Sequence, residues 1–347
     1  MMINAKTVKA RAPLRLGLAG GGTDVSPYCD QYGGLVLNAT ITRYAYAVIN
    51  VLDSKEVRFF AADRRLSKAC SAELSIERDG KLDLHTAVYI YMMDRYNNGK
   101  NIGLELVTFC EAPVGSGLGS SSTLVVAMIK AFMELLNLPL DDYEIAHLAF
   151  HIERIECGLQ GGRQDQYSAT FGGFNFMEFY AEDRSVINQL RVKNWIISEL
   201  ESSLILFFTG VSRESAKIIA DQSANVKNHE ISAIEAMHGL KQEALTMKEC
   251  LLKGDFSGVV ESMRMGWESK KRSAKMVSNP LIEEVYARAI SAGALAGKVS
   301  GAGGGGFMLF FAPTESRMKV VQALNEYEGE VSNCHFTKHG AQAWSLR

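Results

Sequence analysis

The chain has 347 residues, of which 47% are hydrophobic and 22% charged, a composition typical of a globular protein of about two domains. Its formal net charge of -2 at pH 7 excludes a broad electrostatic attraction to nucleic acid or to an anionic membrane. The sequence has no apolar run of the roughly 18 residues that a membrane-spanning helix needs, so we predict neither a nucleic-acid nor a membrane partner.

The first forty residues predict a strand, a glycine-rich turn, a short helix and a second strand. The turn, Gly17–Gly22, loosely resembles a dinucleotide-binding loop. That loop requires an acidic residue at the end of the next strand, and Leu35–Thr40 ends without one. We therefore assign no dinucleotide site. Further strands are predicted at Tyr44–Leu52, Glu56–Ala61 and Leu104–Cys110.

The segment Ala112–Thr123 reads Ala-Pro-Val-Gly-Ser-Gly-Leu-Gly-Ser-Ser-Ser-Thr and leads into an apolar run, Leu124–Leu138. Glycines allow the backbone to approach a ligand closely, and a helix N-terminus attracts anions. The run is apolar on nearly every face, which predicts a buried helix. A P-loop is excluded because Ser120, not lysine, follows Gly119. We predict that this segment binds the phosphates of a nucleoside triphosphate.

A helix is predicted over Tyr143–Cys157, capped by Asp141 or Asp142. One face carries isoleucine and leucine, and a second carries two alanines and Glu153. Small residues beside one acid leave room for a metal–phosphate group, although most helix acids are solvated surface charges. A tight loop, Gly161–Gln166, follows.

The second half of the chain predicts a separate domain, with the boundary near residues 185–200. The predicted elements are the strands Phe174–Phe179 and Ser203–Thr209, helices between Ser215 and Arg272, a helix Pro280–Ala292 and the strand Phe307–Phe311. Before this last strand, Gly297–Gly306 contains six glycines in ten residues. Such a density favours close approach to a ligand or to another backbone.

The six cysteines form no Cys-x-x-Cys pair, which argues against a zinc or redox motif. The N-terminal residues include no apolar stretch of signal-peptide length. We therefore predict free thiols and a cytoplasmic location.

Three glycine-rich motifs stand in order along the chain, at Ala12–Asp24, Pro113–Ser122 and Lys298–Phe307. Together they resemble the GHMP kinases, which include galacto-, homoserine and mevalonate kinases, over almost the whole chain. The resemblance implies an α+β fold with two domains: an N-terminal GHMP domain over residues 1–190 and a C-terminal ferredoxin-like domain over residues 191–347. The active site would lie between them, with ATP and Mg²⁺ as cofactors.

The first motif narrows the comparison within the family. Galactokinases carry an acid–histidine pair before Thr-Asp, where this chain has Gly21 and Gly22. This form is similar to the sugar-1-kinase branch, as are Thr209–Ile219 and Ser278–Ile282. The implied reaction is phosphorylation of the anomeric hydroxyl of D-glycero-D-manno-heptose 7-phosphate. The alternatives are a kinase for unphosphorylated heptose or L-fucose, a mevalonate-type kinase, and a sugar sensor without turnover.

The resemblance also implies residue roles. Asp165 is the implied catalytic base, although its local sequence alone reads as a turn aspartate, and Arg15 lies near the transferred phosphate. Ser121 and Glu153 are the implied Mg²⁺ ligands, although the loop from Glu153 to Asp165 is one residue longer than in mevalonate kinases. The implied ATP-binding residues are Pro113, Gly115, Ser116, Gly117, Leu118, Gly119, Ser120, Ser121, Gly301, Ala302 and Gly303.

The substrate site is predicted from the same motifs and from charge. Asp24 matches a sugar-hydroxyl ligand, and the further candidates are Gly22 and Thr23 in the first motif and Gly162 in the loop Gly161–Gln166. Because the chain is slightly acidic, a dianionic sugar phosphate needs a local cation, and arginine suits phosphate best. The candidates are Arg163 and Arg213. The alternative for each is that its charge lies on the surface or stabilises the fold and binds no substrate. The oligomeric state stays open.

Overall fold

The computed structural model describes residues 6–74, 76–211 and 215–346. In this part of the chain, the elements form two β-sheets with helices packed against them. The strands are β1 (Thr7–Ala19), β2 (Gly34–Val51), β3 (Glu56–Ala61), β4 (Leu66–Ser71), β5 (Leu104–Cys110), β6 (Phe174–Phe179), β7 (Ser185–Gln189), β8 (Leu204–Phe208), β9 (Ala296–Val299), β10 (Phe307–Phe311), β11 (Glu330–Asn333) and β12 (Gln342–Leu346).

The helices follow the same order along the chain. They are α1 (Tyr28–Tyr32), α2 (Asp83–Tyr96), α3 (Ser120–Leu136), α4 (Asp142–His151), α5 (Gln164–Phe171), α6 (Asn194–Ser203), α7 (Ser215–Lys227), α8 (Ile231–Lys253), α9 (Phe256–Ser273), α10 (Pro280–Ser291) and α11 (Thr314–Leu324). Between α4 and α5 lies a five-residue π-helical turn, Ile152–Glu156.

The larger sheet has the order β12-β1-β2-β5-β3-β4, with β6 paired to β2 and β7 paired to β6. The predicted strands Leu35–Thr40 and Tyr44–Leu52 are two parts of the single strand β2. Residues 34–41 are all buried, Thr42 is exposed, and buried and partly buried residues alternate over 44–50. The first part of β2 is therefore covered on both faces of the sheet and the second part mainly on one, which explains why the sequence pattern predicts two strands.

The predicted buried helix is α3, and most of its side chains lie in the core. It packs against β1, β2 and α5. α4 begins at a capping box in which Asp141 accepts from the backbone of Glu144 and the Glu144 side chain accepts from the backbone of Asp141. The predicted helix over Tyr143–Cys157 ends at His151 as regular α-helix, because the π-helical turn inserts there.

The smaller sheet has the order β11-β8-β10-β9, with all pairs antiparallel. In chain order this is a fourth, first, third and second strand, with helices after the first and third, which is the ferredoxin-like arrangement. The assignment of all of residues 191–347 to the C-terminal domain is wrong for β12. This strand pairs with β1 and completes the edge of the larger sheet. No described helix is long and apolar enough to span a bilayer.

Candidate active site

The three glycine-rich motifs meet at the carbonyl oxygen of Gly117. Arg15 Nη1 donates to this oxygen at 2.8 Å, and Ser300 Oγ donates to it at 2.8 Å. A Cβ atom on Gly117 would lie 2.2 Å from the carbonyl oxygen of Ser300, so this contact requires glycine. Segments that are far apart in the sequence therefore form one continuous surface.

Arg15 and Asp165 form an ion pair on that surface. Arg15 Nε donates to Asp165 Oδ1 at 2.6 Å. Arg15 lies in the core-facing part of β1 and is buried, whereas the Asp165 side chain, in the first turn of α5, is 21% exposed. A short charge-assisted bond fixes the orientation of both groups. The pair therefore presents a carboxylate beside a permanent positive charge.

Glu153 is buried next to the start of α3. Its Oε1 accepts from Ser121 Oγ at 3.1 Å, and its Oε2 accepts from Gln166 Nε2 at 2.5 Å. The π-helical turn carries Glu153 to this position, and such turns are frequent at functional sites. The described residues include no group of three or more His, Cys, Asp or Glu side chains arranged to hold a metal. A buried carboxylate beside a hydroxyl still fits Mg²⁺, which takes few protein ligands and completes its shell with phosphates and water.

The Asp24 carboxylate lies at the N-terminus of α5. Oδ2 accepts from the backbone N–H of Arg163 at 2.9 Å and of Gln164 at 3.1 Å. Oδ1 accepts from the side chain of Gln164 at 3.0 Å and from the backbone N–H of Gly22 at 3.1 Å. A negative charge at this end of a helix is favourable. Asp24 therefore ties the first motif to the helix that carries Asp165.

These groups border a cavity of about 470 Å³, here called the cleft. Thr23, Ser116, Leu118 and Gly303 lie behind its wall as buried supports, and Pro113 lies outside it. The predicted residues in the wall are Arg15, Gly22, Asp24, Gly115, Gly117, Gly119, Ser120, Ser121, Glu153, Gly162, Asp165, Gly301 and Ala302.

The Arg163 side chain is not in the cleft wall, which favours the alternative of a structural charge; its predicted contact with a substrate phosphate stays a prediction. Its backbone N–H faces Asp24, and its guanidinium extends the other way. There it donates to the carbonyl oxygen of Tyr180 at 2.9 Å and lies 3.1 Å from the Asp183 carboxylate. The guanidinium therefore stabilises the fold. The other candidate, Arg213, lies outside the described residues.

Lys270, on α9, brings a buried cation to the cleft. Its Nζ donates to the carbonyl oxygen of Gly21 at 2.7 Å. Burial, with the nearby charge of Lys298, lowers the pKa of Lys270 to about 8. A Cβ atom on Gly22 would lie 3.2 Å from Lys270 Nζ and 3.4 Å from Gln222 Oε1. Lys270 carries no signal in the sequence, because it stands beside Lys271 and Arg272 on an amphipathic helix, far along the chain from the first motif.

A second buried lysine supports the first motif from behind. Lys298 Nζ donates to the carbonyl oxygen of Leu18 at 2.9 Å and to Glu243 Oε1 at 3.1 Å. Glu243 Oε2 accepts from the backbone N–H of Gly20 at 3.1 Å. The two side chains are 8% and 1% exposed. This ion pair joins β9 and α8 of the second half of the chain to the first motif.

A second cavity, of about 570 Å³, opens beside Ala112–Thr123, here called the Gly/Ser segment. We call this second cavity the side cavity. It shares Val114, Ser120, Ser121 and Leu159 with the cleft. Its other walls come from α2, from the segment after β3 and from the π-helical turn. The sequence offered no motif for this cavity because its walls are ordinary polar and apolar residues.

Two family models match this chain, one in each half. Residues 83–173 match the model of the GHMP kinases N terminal domain, and residues 247–329 match that of the GHMP kinases C terminal region. A D-glycero-alpha-D-manno-heptose 7-phosphate kinase from Campylobacter jejuni is 45% identical over 341 residues, which cover 98% of this chain and 100% of that protein.

Two crystal structures extend the comparison. A D-glycero-D-manno-heptose 1-phosphate kinase from Bacteroides thetaiotaomicron has a TM-score of 0.83 and 43% identity, covering 98% of this chain and 99% of that one. A galactokinase from Lactococcus lactis in complex with galactose has a TM-score of 0.76 at 16% identity, covering 97% and 95%, and it supports the fold alone. The predicted family, α+β fold class and kinase activity are confirmed: the chain belongs to the GHMP kinase family.

Proposed function

We propose that this chain transfers the γ-phosphoryl group of ATP to the anomeric hydroxyl of D-glycero-D-manno-heptose 7-phosphate, giving the 1,7-bisphosphate and ADP. The observation that carries the proposal is the Arg15–Asp165 pair, held at 2.6 Å in a cleft that the Gly/Ser segment also borders. The names of two relatives that match nearly the whole chain supply the substrate class, a heptose phosphate.

In the proposed step, the sugar O1 forms a bond to the γ-phosphorus while the bond from that phosphorus to the ADP oxygen breaks. The Asp165 carboxylate accepts the proton of the O1 hydroxyl, acting as general base. Arg15 orients Asp165 through its Nε and places positive charge near the moving phosphoryl group. Phosphoryl transfer depends mainly on such positioning and charge stabilisation.

The nucleotide would occupy two adjoining regions. The Gly/Ser segment and the N-terminus of α3 would bind its phosphates through backbone N–H groups. The side cavity, with apolar residues such as Leu84, Leu124 and Ile155 in its wall, would take the nucleoside. Ser121 and Glu153 would hold Mg²⁺, which would neutralise phosphate charge when bound.

The sugar would lie on the opposite side of the Arg15–Asp165 pair. Gly22, Asp24, Gln164, Gln222 and Lys270 border the cleft there and offer several hydrogen-bond donors and acceptors. A polyhydroxylated substrate needs such a set, and mevalonate offers far fewer hydroxyl groups.

The free state of all six cysteines supports a reaction in a reducing cytoplasm.

The test is ADP release with MgATP across a substrate panel, with ³¹P NMR of the product. The panel contains heptose 7-phosphate, heptose 1-phosphate, unphosphorylated heptose, L-fucose and mevalonate. We expect the highest kcat/KM with heptose 7-phosphate and a new anomeric phosphate signal. Preference for unphosphorylated heptose or fucose would replace the proposal with a simple sugar 1-kinase, and preference for mevalonate would remove the sugar assignment.

The metal assignment has its own test. Glu153→Gln is expected to raise the Mg²⁺ concentration needed for half-maximal rate, because the variant loses the carboxylate beside Ser121. Glu315→Gln, at an exposed position on α11 outside the walls of both cavities, is the matched control. An unchanged Mg²⁺ titration in Glu153→Gln would exclude Glu153 as a ligand.

A further inference from the structure

Arg154 is a cation of the cleft wall whose bonding capacity is largely unused. It follows Glu153 on the π-helical turn, and both residues border the cleft. The side chain is 13% exposed. Its Nε is buried without a hydrogen-bond partner among the residues that the structure describes. Nη2 has a long hydrogen bond of 3.4 Å to the carbonyl oxygen of Gly162.

The neighbouring carboxylate does not satisfy this guanidinium. Arg154 Nη1 lies 3.9 Å from Glu153 Oε1, beyond hydrogen-bond distance. Glu153 instead accepts from Ser121 and Gln166. Arg163 offers a contrast inside the same loop region, because its guanidinium bonds to Tyr180 and lies against acidic side chains outside the cleft. Arg154 thus keeps hydrogen-bond donors available at the cleft, whereas the guanidinium of Arg163 does not.

Gly161 sets the position of this guanidinium. A Cβ atom on Gly161 would lie 2.4 Å from Arg154 Nη2, 2.5 Å from Cζ and 3.0 Å from Nε. The guanidinium therefore rests directly against the Gly161 backbone. The backbone of Gly161 is not in the left-handed region, so alanine is conformationally allowed there and would act by displacing the guanidinium.

We propose that Arg154 binds a phosphate group of a substrate in the cleft. A buried guanidinium with unused N–H groups is suited to a phosphate dianion, which accepts two parallel hydrogen bonds from the fork. The phosphate comes either from the sugar substrate or from the γ-position of ATP, and the two share the same chemistry. The sugar source rests on the proposed function; the binding of phosphate by Arg154 does not.

The experiment compares Arg154→Gln, Arg154→Lys and Gly161→Ala with wild type and with Arg95→Gln, an exposed arginine at the end of α2. KM is measured for heptose 7-phosphate at saturating MgATP and for ATP at saturating sugar phosphate. Calorimetric titrations with heptose 7-phosphate and with MgATP give the Kd of each ligand without turnover. Circular dichroism checks that each variant is folded.

In Arg154→Gln we expect KM and Kd for one of the two ligands to rise roughly tenfold or more, as when a charged hydrogen-bond donor is lost. In Arg154→Lys these constants should lie between those of wild type and Arg154→Gln, because lysine keeps the charge but not the planar pair of donors. Gly161→Ala should raise the same constants while keeping the arginine. An effect on the sugar phosphate alone assigns the substrate's own phosphate, and an effect on ATP alone assigns the γ-phosphate.

Changes within twofold for both ligands in Arg154→Gln and Gly161→Ala would overturn the proposal. If Arg154→Gln does not fold, the Gly161→Ala titrations decide. If wild type binds and phosphorylates no heptose phosphate, the proposed function fails, and the MgATP titrations still test Arg154: a weakened Kd supports phosphate binding and an unchanged one refutes it.

Discussion

Asp165 and Arg15 are 150 positions apart in the sequence, yet they form an ion pair of 2.6 Å in the cleft. The pair gives the carboxylate a fixed direction before substrate binds. Catalysis by a general base depends on this geometry first and on protonation second.

Asp165→Asn is expected to lower kcat about 10²–10⁴-fold, the usual effect of removing a general base, with KM for ATP nearly unchanged. Asparagine keeps the size of the side chain and can still accept from Arg15. Asp183→Asn is a matched control, because Asp183 also lies within 3.1 Å of an arginine but outside the cleft. Steady-state kinetics of both variants check the role, and turnover of Asp165→Asn within threefold of wild type would remove it.

Lys270 is expected to make activity depend on pH. Burial lowers the pKa of Lys270 to about 8, so its ammonium loses charge and a donor as pH rises through that value. We expect kcat/KM for the sugar substrate to fall above about pH 8, because this parameter reports groups of the free enzyme. In Lys270→Arg the side chain should keep its charge over this range, so the fall of kcat/KM at high pH should disappear. A flat wild-type profile up to pH 9.5 would contradict the assignment.

The same shift acts on stability with the opposite sign. An unfolded lysine has a pKa of about 10.4, so between about pH 8 and pH 10 the unfolded chain binds more protons at this position than the folded one. The contribution of Lys270 to the free energy of unfolding therefore rises with pH in this window. The measurement is the free energy of unfolding of wild type and of Lys270→Met at several pH values. The rise with pH that Lys270 contributes should be absent in Lys270→Met.

At the scale of elements, α5 is the helix that carries the proposed base, and Asp24 holds its N-terminus. The carboxylate accepts two backbone N–H groups of the first turn region. It also accepts from Gly22 in the first motif. The position of Asp165 therefore depends on a contact between a turn and a helix end.

Asp24→Ala is expected to lower the free energy of unfolding by about 1–2 kcal/mol, as for the loss of a helix cap. It should also lower kcat, because α5 and Asp165 lose their fixed position. Asp24→Asn keeps an acceptor and should lose less of both. Urea denaturation and steady-state kinetics provide the measurements. A fall in activity with no loss of stability in Asp24→Ala would favour direct sugar binding over the positioning role.

At the scale of the whole molecule, the buried Lys298–Glu243 pair connects the two halves of the chain beneath the first motif. Gly266 leaves the space for it, since a Cβ atom there would lie 2.0 Å from the Glu243 carboxyl. Both charges are removed from water, so each depends on the other. The first motif therefore rests on an ion pair that the second half of the chain supplies, through hydrogen bonds to Leu18 and Gly20.

Glu243→Gln is expected to lower the free energy of unfolding by about 3–5 kcal/mol, because Lys298 would remain buried without its counter-charge. The double variant Glu243→Gln, Lys298→Met should recover much of this loss. Glu326→Gln, which breaks an exposed pair with Arg288, should have a much smaller effect. Chemical denaturation of the three variants measures this, and equal effects of the buried and exposed changes would contradict the argument.

The sequence by itself determined the parts of the molecule that depend on neighbouring residues. The strands Glu56–Ala61, Leu104–Cys110, Phe174–Phe179 and Phe307–Phe311 were predicted at their observed bounds. Their alternation and turn residues are local signals. The three glycine-rich motifs were likewise recognisable because each is contiguous, and they led to the family, the fold class and the candidate cleft residues.

The tertiary structure decided what depends on distant contacts. In the folded chain, β12 pairs with β1 in the larger sheet, and the Arg163 side chain points away from the cleft. It brought Lys270 and Arg154 to the cleft, although neither belongs to a motif. A sequence pattern reports which face of an element is apolar, but it carries no information on which distant group will lie opposite a given lysine or arginine. Those pairings arise when different segments of the chain pack together, because burial then fixes which charges face each other and which face the cleft.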